Sequence, residues 1–162
     1  MARKVFFSFH FERDVRRVVQ IRKSWVVRPG SEAQPFYDKA EFESAKARAG
    51  GIEKWIEDQL SGTSVTVVLF GAKTYERDWV RHEIKRSYEL GKGMLAIDLR
   101  NVKDPQSGMD TPGLNPLNYW STTHDGRKVA FSGIYRTYDW ATDNGYTNMP
   151  AWIEAAAKDA GR

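Results

Sequence analysis

The chain predicts a doubly wound α/β domain: a parallel sheet of about five strands with helices on both faces. Three observations carry that expectation. Short apolar runs at residues 5–9, 63–70 and 94–99 have the length and the β-branched or aromatic content of strands buried on both faces. Segments with apolar residues at helical spacing separate these runs. Strand and helix therefore alternate, and alternation of this kind closes most simply as a parallel sheet covered on both sides.

Taken in order, Val5-Phe6-Phe7-Ser8-Phe9 reads as the first strand. Val15, Val18, Val19, Arg22 and Val26 then recur at helical spacing. After Pro29-Gly30 and Pro35, a second short strand is expected at Phe36-Tyr37-Asp38. Ile52, Trp55, Ile56, Gln59 and Leu60 form an apolar stripe with Glu53, Lys54, Glu57 and Asp58 turned outward, and Ser61-Gly62 stops that helix. The run from Thr63 to Phe70 is the third strand. Val80, Ile84 and Ser87 give the next helix its inward stripe, with Gly91 and Gly93 ending it before Met94-Leu95-Ala96-Ile97-Asp98-Leu99.

From Asn101 to about Thr123 the texture changes to a loop containing Pro105, Pro112, Gly113 and Pro116. Its length makes it a candidate lid. Asp125-Gly126 is a turn signal. Residues 129–140 are aromatic and β-prone, suiting a ribbon or a final strand, and Asn148, Pro150 and the alanines up to Ala160 predict a capped terminal helix.

A length of 162 residues suits one domain, residues 1–162, with the long loop and an aromatic C-terminal extension included. Hydrophobic residues at 41% and charged residues at 28% describe a water-soluble globule, with no apolar run near a membrane-spanning length. The first residues enter a strand without the apolar core of a signal peptide, so a cytoplasmic location is expected. Zero cysteines exclude disulfides, thiolate metal ligands and a cysteine nucleophile. The net charge of +4 invites a nucleic-acid partner, but Arg13, Arg16, Arg17, Arg22 and Lys23 are interleaved with Glu12 and Asp14. That mixture predicts a solvated helix face, and neither a nucleic acid nor a membrane is expected as partner.

Several chemistries drop out on motif grounds. The chain has no G-x-x-x-x-G-K-[ST] loop, no G-x-G-x-x-G after the first strand and no G-x-S-x-G elbow. His10, His82 and His124 are far apart and lack metal-ligand spacing, so no metal is expected. A phospho-receiver would want acidic residues after strand one and an Asp ending strand three, where this chain has Phe9-His10-Phe11 and Leu69-Phe70-Gly71. What survives is Trp79-x-x-x-Glu83. Positions four apart share a helical face, which puts an aromatic wall and a lone carboxylate near the carboxyl end of the preceding strand. In open α/β sheets that end holds the ligand.

Four segments together resemble a known family: Arg3-Lys4-Val5-Phe6-Phe7-Ser8-Phe9-His10, Thr63-Ser64-Val65-Thr66-Val67-Val68-Leu69, Trp79-Val80-Arg81-His82-Glu83-Ile84, and Gly113-Leu114-Asn115-Pro116-Leu117-Asn118-Tyr119. The chain resembles the TIR-like domains, most closely the TIR-like subunit of the bacterial Thoeris anti-phage system. This implies a flavodoxin-like, TIR-like sheet. It also implies cleavage of the nicotinamide glycosidic bond of NAD, with the ADP-ribosyl part released as a cyclic or conjugated nucleotide that activates a separate effector protein. NAD is then the substrate and no cofactor is required. Self-assembly and a phage trigger are further implications.

By the same resemblance Glu83 is the catalytic residue, and Phe6, Ser8, Phe9, Gly71, Trp79 and Asn115 contact or shape the substrate site. The chemistry agrees with one carboxylate. O-glycosidases pair two because the leaving oxygen must be protonated, whereas nicotinamide departs from a pyridinium cation as a neutral molecule. A single carboxylate can steady the oxocarbenium charge. The competing reading is a non-catalytic TIR-like module for protein assembly or nucleotide sensing.

Overall fold

The computed structural model describes residues 3–33 and 51–162. The strand expected at Phe36-Tyr37-Asp38 lies outside the described residues. Seven strands are seen within them: β1 (Arg3–Ser8), β2 (Ser31–Ala33), β3 (Val65–Phe70), β4 (Gly93–Asp98), β5 (Ser121–His124), β6 (Arg127–Ala130) and β7 (Thr137–Asp139). Four helices accompany them: α1 (Phe11–Val26), α2 (Gly51–Leu60), α3 (Asp78–Glu89) and α4 (Gly145–Asp159). Five strands form one parallel sheet in the order β2-β1-β3-β4-β7, so the flavodoxin-like α/β expectation holds.

Strand alternation divides the core cleanly. Val5 and Phe7 of β1, Val65, Val67 and Leu69 of β3, and Leu95 and Ile97 of β4 face α1 and α4, meeting Val18, Ile21, Trp25, Met149 and Ile153. Their neighbours Phe6, Val68, Phe70, Met94 and Ala96 turn to the other face, against α2 and α3, where they meet Ile56, Leu60, Val80 and Ile84. Register is fixed by pairs such as Val5↔Val65 and Val65↔Gly93. A slip of one residue would exchange the two apolar sets, which is why the alternating apolar strands lock it.

The chain after Asp125 is woven into the domain. It supplies β6, the edge strand β7 and the helix α4 that, with α1, covers one face. The turn at Asp125-Gly126 joins β5 to β6 as expected, both residues adopting positive φ.

The segment after β4 is strapped down. Arg13 grips Asp110 with two hydrogen bonds of 2.6 and 2.7 Å, Arg16 reaches Asp104, and Arg17 donates to the carbonyls of Val102 and Gly108 at 2.9 Å each. Arg17 is buried, so at this position the basic cluster on α1 departs from the solvated face that its mixed charge suggests, while Lys23 remains exposed. The guanidinium groups of Arg13, Arg16 and Arg17 are taken up by carbonyls and carboxylates of the segment from residue 102 to residue 110. Further along, a Cβ on Gly113 would stand 2.1 Å from the carbonyl oxygen of Gly71, so only glycine permits the strap to cross the end of β3 there.

Candidate functional site

Glu83 lies in the middle of α3 and points inward, only 2% exposed, toward the carboxyl half of β1. Ser8, the last residue of β1, is buried on the same side and donates its hydroxyl to Glu83 Oε1 at 3.0 Å. Both positions follow from periodicity. Val80, Glu83, Ile84 and Ser87 are the buried stripe of α3, and Ser87 is anchored to Thr66 of β3 by a 2.7 Å hydroxyl contact. The carboxylate thus occupies a place that spacing alone would give to Leu or Ile.

Desolvation dominates its electrostatics. Burial pushes the Glu83 carboxyl up to about 8, against the smaller opposing pulls of the Ser8 hydrogen bond and the nearby charge of Lys92. Lys92 is buried too, in the short connection from α3 to β4. Its ammonium donates to the Thr63 hydroxyl and lies 5.8 Å from the centre of the Phe6 ring. Burial, with Arg162 nearby, pulls Lys92 down to about 7. An acid and a base are therefore held in one apolar compartment, each disfavoured in its charged form.

That compartment is walled by aromatic rings. Phe6 belongs to a buried cluster with Ile56 and Leu60, and Trp79 and Trp55 pack against it half-buried. Trp79, four residues before Glu83 and on the same helical face, packs against that cluster. The structure thus brings together Glu83, Ser8, Phe6 and Trp79 from the sequence-based set.

Phe9, Gly71 and Asn115 find their partners elsewhere. Phe9 turns to the opposite face and joins the core beneath α1 and α4. Gly71 sits at the exit of β3, where an added Cβ would come within 2.9 Å of an Asp14 carboxylate oxygen, and its amide bonds the Thr74 hydroxyl. Asn115 caps the short 3-10 turn Pro116–Tyr119, accepting from the Leu117 amide at 3.0 Å and donating to the Thr137 hydroxyl at 2.8 Å.

Sequence reasoning missed Lys92 and Thr63. A lysine between Gly91 and Gly93 reads as a solvated turn residue, and the signal that it is buried comes only from the fold. Among the described residues no group of three His, Cys, Asp or Glu side chains is placed to hold a metal ion, and no helix is long and apolar enough to cross a membrane.

In chemical terms the arrangement offers one carboxylate, shielded from water, beside flat apolar surface. Such a group recovers its negative charge most readily against a cation brought into the compartment. The family model described as "Thoeris protein ThsB, TIR-like domain" matches residues 6–104, which contain Phe6, Ser8, Trp79, Glu83 and Lys92. The chain is also 30% identical over 191 aligned residues, covering 94% of its length and all of the relative, to "Putative cyclic ADP-D-ribose synthase ThsB1" of Bacillus cereus (strain MSX-D12).

Proposed function

The chain belongs to the Thoeris ThsB family of TIR-like proteins, and from that premise we propose that it cleaves the bond between nicotinamide and ribose in NAD and releases the ADP-ribosyl part as a cyclic or conjugated nucleotide signal. The signal then activates a separate effector in anti-phage defence. The observation that carries this reading is the buried Glu83 carboxyl, held by Ser8 between aromatic walls.

The reaction breaks the bond from the ribose anomeric carbon to the pyridinium nitrogen. Both bonding electrons go to the nitrogen, so nicotinamide leaves neutral without a general acid. The ribose is left with oxocarbenium character, and Glu83 answers that charge while accepting hydrogen bonds from the ribose hydroxyls. An adenine nitrogen or a hydroxyl of the same molecule then attacks the anomeric carbon, giving a cyclic product; water at that carbon gives free ADP-ribose instead. In the hydroxyl and water cases the attacking group loses its proton.

Burial also supports the reading energetically. A carboxyl pushed up to about 8 is largely protonated at neutral pH. The pyridinium of NAD is the charge that favours its ionised form, and that advantage passes to the oxocarbenium as the bond breaks. Phe6 and Trp79 keep competing water out.

The test uses purified protein and lysates of phage-infected cells carrying it, with nicotinamide release followed by chromatography and nucleotide products by mass spectrometry. Wild type is expected to release nicotinamide in at least one setting and Glu83→Gln in neither. Equal turnover by the folded Glu83→Gln protein would remove Glu83 from the site.

A further inference from the structure

The sheet carries an unfinished edge at the amino end of β4. β7 pairs with β4 only from Ala96 onward, where the Ala96 amide donates to the Arg136 carbonyl at 3.0 Å. Two residues earlier, Met94 turns its own N–H and C=O to the same outer side, because alternate residues of a parallel strand bond in alternate directions. Gly93, next to it, bonds inward to Ser64. The chain that would have met Met94 has already turned away, since the amides of Ile134 and Tyr135 both fold back onto the Phe131 carbonyl. Met94 is 2% exposed, yet its outward donor and acceptor meet no protein partner among the described residues. A buried backbone pair in that state is rare and calls for an occupant.

Space for one exists. A cavity of about 620 Å³ lies between this edge, the last turns of α4, the end of α3 and the 134–136 turn. Tyr88, Tyr135, Tyr138 and Trp152 line it, the last two stacked at 4.0 Å. The charged side chains lining it balance, Arg136 and Lys92 against Glu89 and Asp159, with the Lys92 ammonium already given to Thr63 and the nearby Arg162 to the carbonyls of Leu90 and Gly91. Such a balance suits a neutral ligand, and the two exposed carboxylates suit a sugar diol.

We propose that this cavity is a second small-molecule site, separate from Glu83, that takes a neutral purine nucleoside. The base places its adjacent donor and acceptor against the C=O and N–H of Met94, its ring lies among the aromatic side chains, and the ribose hydroxyls reach Glu89 or Asp159. The site opens at the amino ends of the strands, whereas Ser8 and Glu83 meet at the carboxyl end of β1. Lys92 belongs to the surroundings of both.

The experiment titrates isotope-labelled protein with adenosine and follows backbone amides by NMR. The proposal expects saturable shifts with the Met94 amide among the largest, and affinity unchanged in Glu83→Gln. N6,N6-dimethyladenosine, which lacks the donor, is expected to bind about tenfold more weakly. Ala155→Trp, which fills the cavity from α4, is expected to abolish binding while the fold persists; if that variant does not fold, the dimethylated ligand alone decides. Absence of saturable binding, shifts confined to the surroundings of Ser8 and Glu83, loss of binding in Glu83→Gln, or equal affinity for the two nucleosides would each overturn the assignment.

Discussion

Ser8 and Glu83 come from β1 and α3, 75 positions apart in the chain, and meet through a 3.0 Å hydrogen bond inside the protein. The serine is the polar partner that an otherwise apolar surface offers the acid. Its neighbours Phe6 and Trp79 exclude water, so the acid's ionisation governs both stability and the proposed chemistry.

Stability should fall with rising pH because of Glu83. Its folded value of about 8 lies above the ordinary carboxyl value of 4.5, so between these limits the unfolded chain has released a proton that the folded chain retains. The contribution is fully present below the lower value and is lost as pH rises through the upper one. Glu83→Gln removes the penalty. Thermal melts are expected to place the variant near wild type at pH 5 and above it at pH 8, by about 5 °C.

Lys92 acts with the opposite sign. Its folded value of about 7 lies below the usual 10.5, so the folded state gains stability as pH rises between the two, and Lys92→Met flattens that rise. Loss of the nearby positive charge also makes Glu83 harder to ionise. The acid limb of the pH profile for nicotinamide release is expected to move upward by roughly one unit in Lys92→Met, whereas a purely structural lysine would lower the rate at every pH alike.

Ser8→Ala deprives the carboxylate of a hydrogen bond that favours its charged form. The expected result is about a tenfold fall in kcat/KM for NAD at neutral pH, with recovery at higher pH. Ser8→Thr, which keeps the hydroxyl, is the rescue variant for the same steady-state measurement.

Arg17 holds residues 102 and 108 and lies near the fully buried Asp14. Arg17→Met breaks both carbonyl contacts and leaves Asp14 with Arg13 as its cationic partner and the Thr74 hydroxyl as a further donor. A loss of about 2–4 kcal/mol in denaturant unfolding is expected, with faster amide exchange concentrated in residues 101–111.

Gly113→Ala tests the crossing over β3. The added methyl cannot fit 2.1 Å from the Gly71 carbonyl oxygen, and its neighbours there are backbone. The strap must lift, at a cost of about 1–3 kcal/mol, and limited proteolysis is expected to cut the variant first between residues 101 and 115.

The sequence declares those elements whose pattern is set by one face. Ile56 and Leu60 mark α2, and Val65–Phe70 marks a strand buried on both sides, because local periodicity and burial demand the same residues. Glu83 is legible through its spacing from Trp79 and the family resemblance, while its place in the buried stripe of α3 comes from the fold. Long-range pairings left no such trace. Arg17 looks like its solvated neighbours until Val102 and Gly108 are folded against it, and Lys92 looks like a turn residue until Phe6 and Thr63 close over it. Asn115 likewise carries a turn-forming sequence, and its side chain caps that turn.

The desert-like setting of Glu83 makes the proposed site a reader of oxidation state. NAD brings a pyridinium that rewards the acid for giving up its proton, while NADH brings an uncharged ring of nearly the same outline and leaves the acid neutral. A protein built this way spends only the oxidised pool. Under the proposed reaction the strength of the alarm then follows the ratio of NAD to NADH in the infected cell, and metabolic state sets its volume.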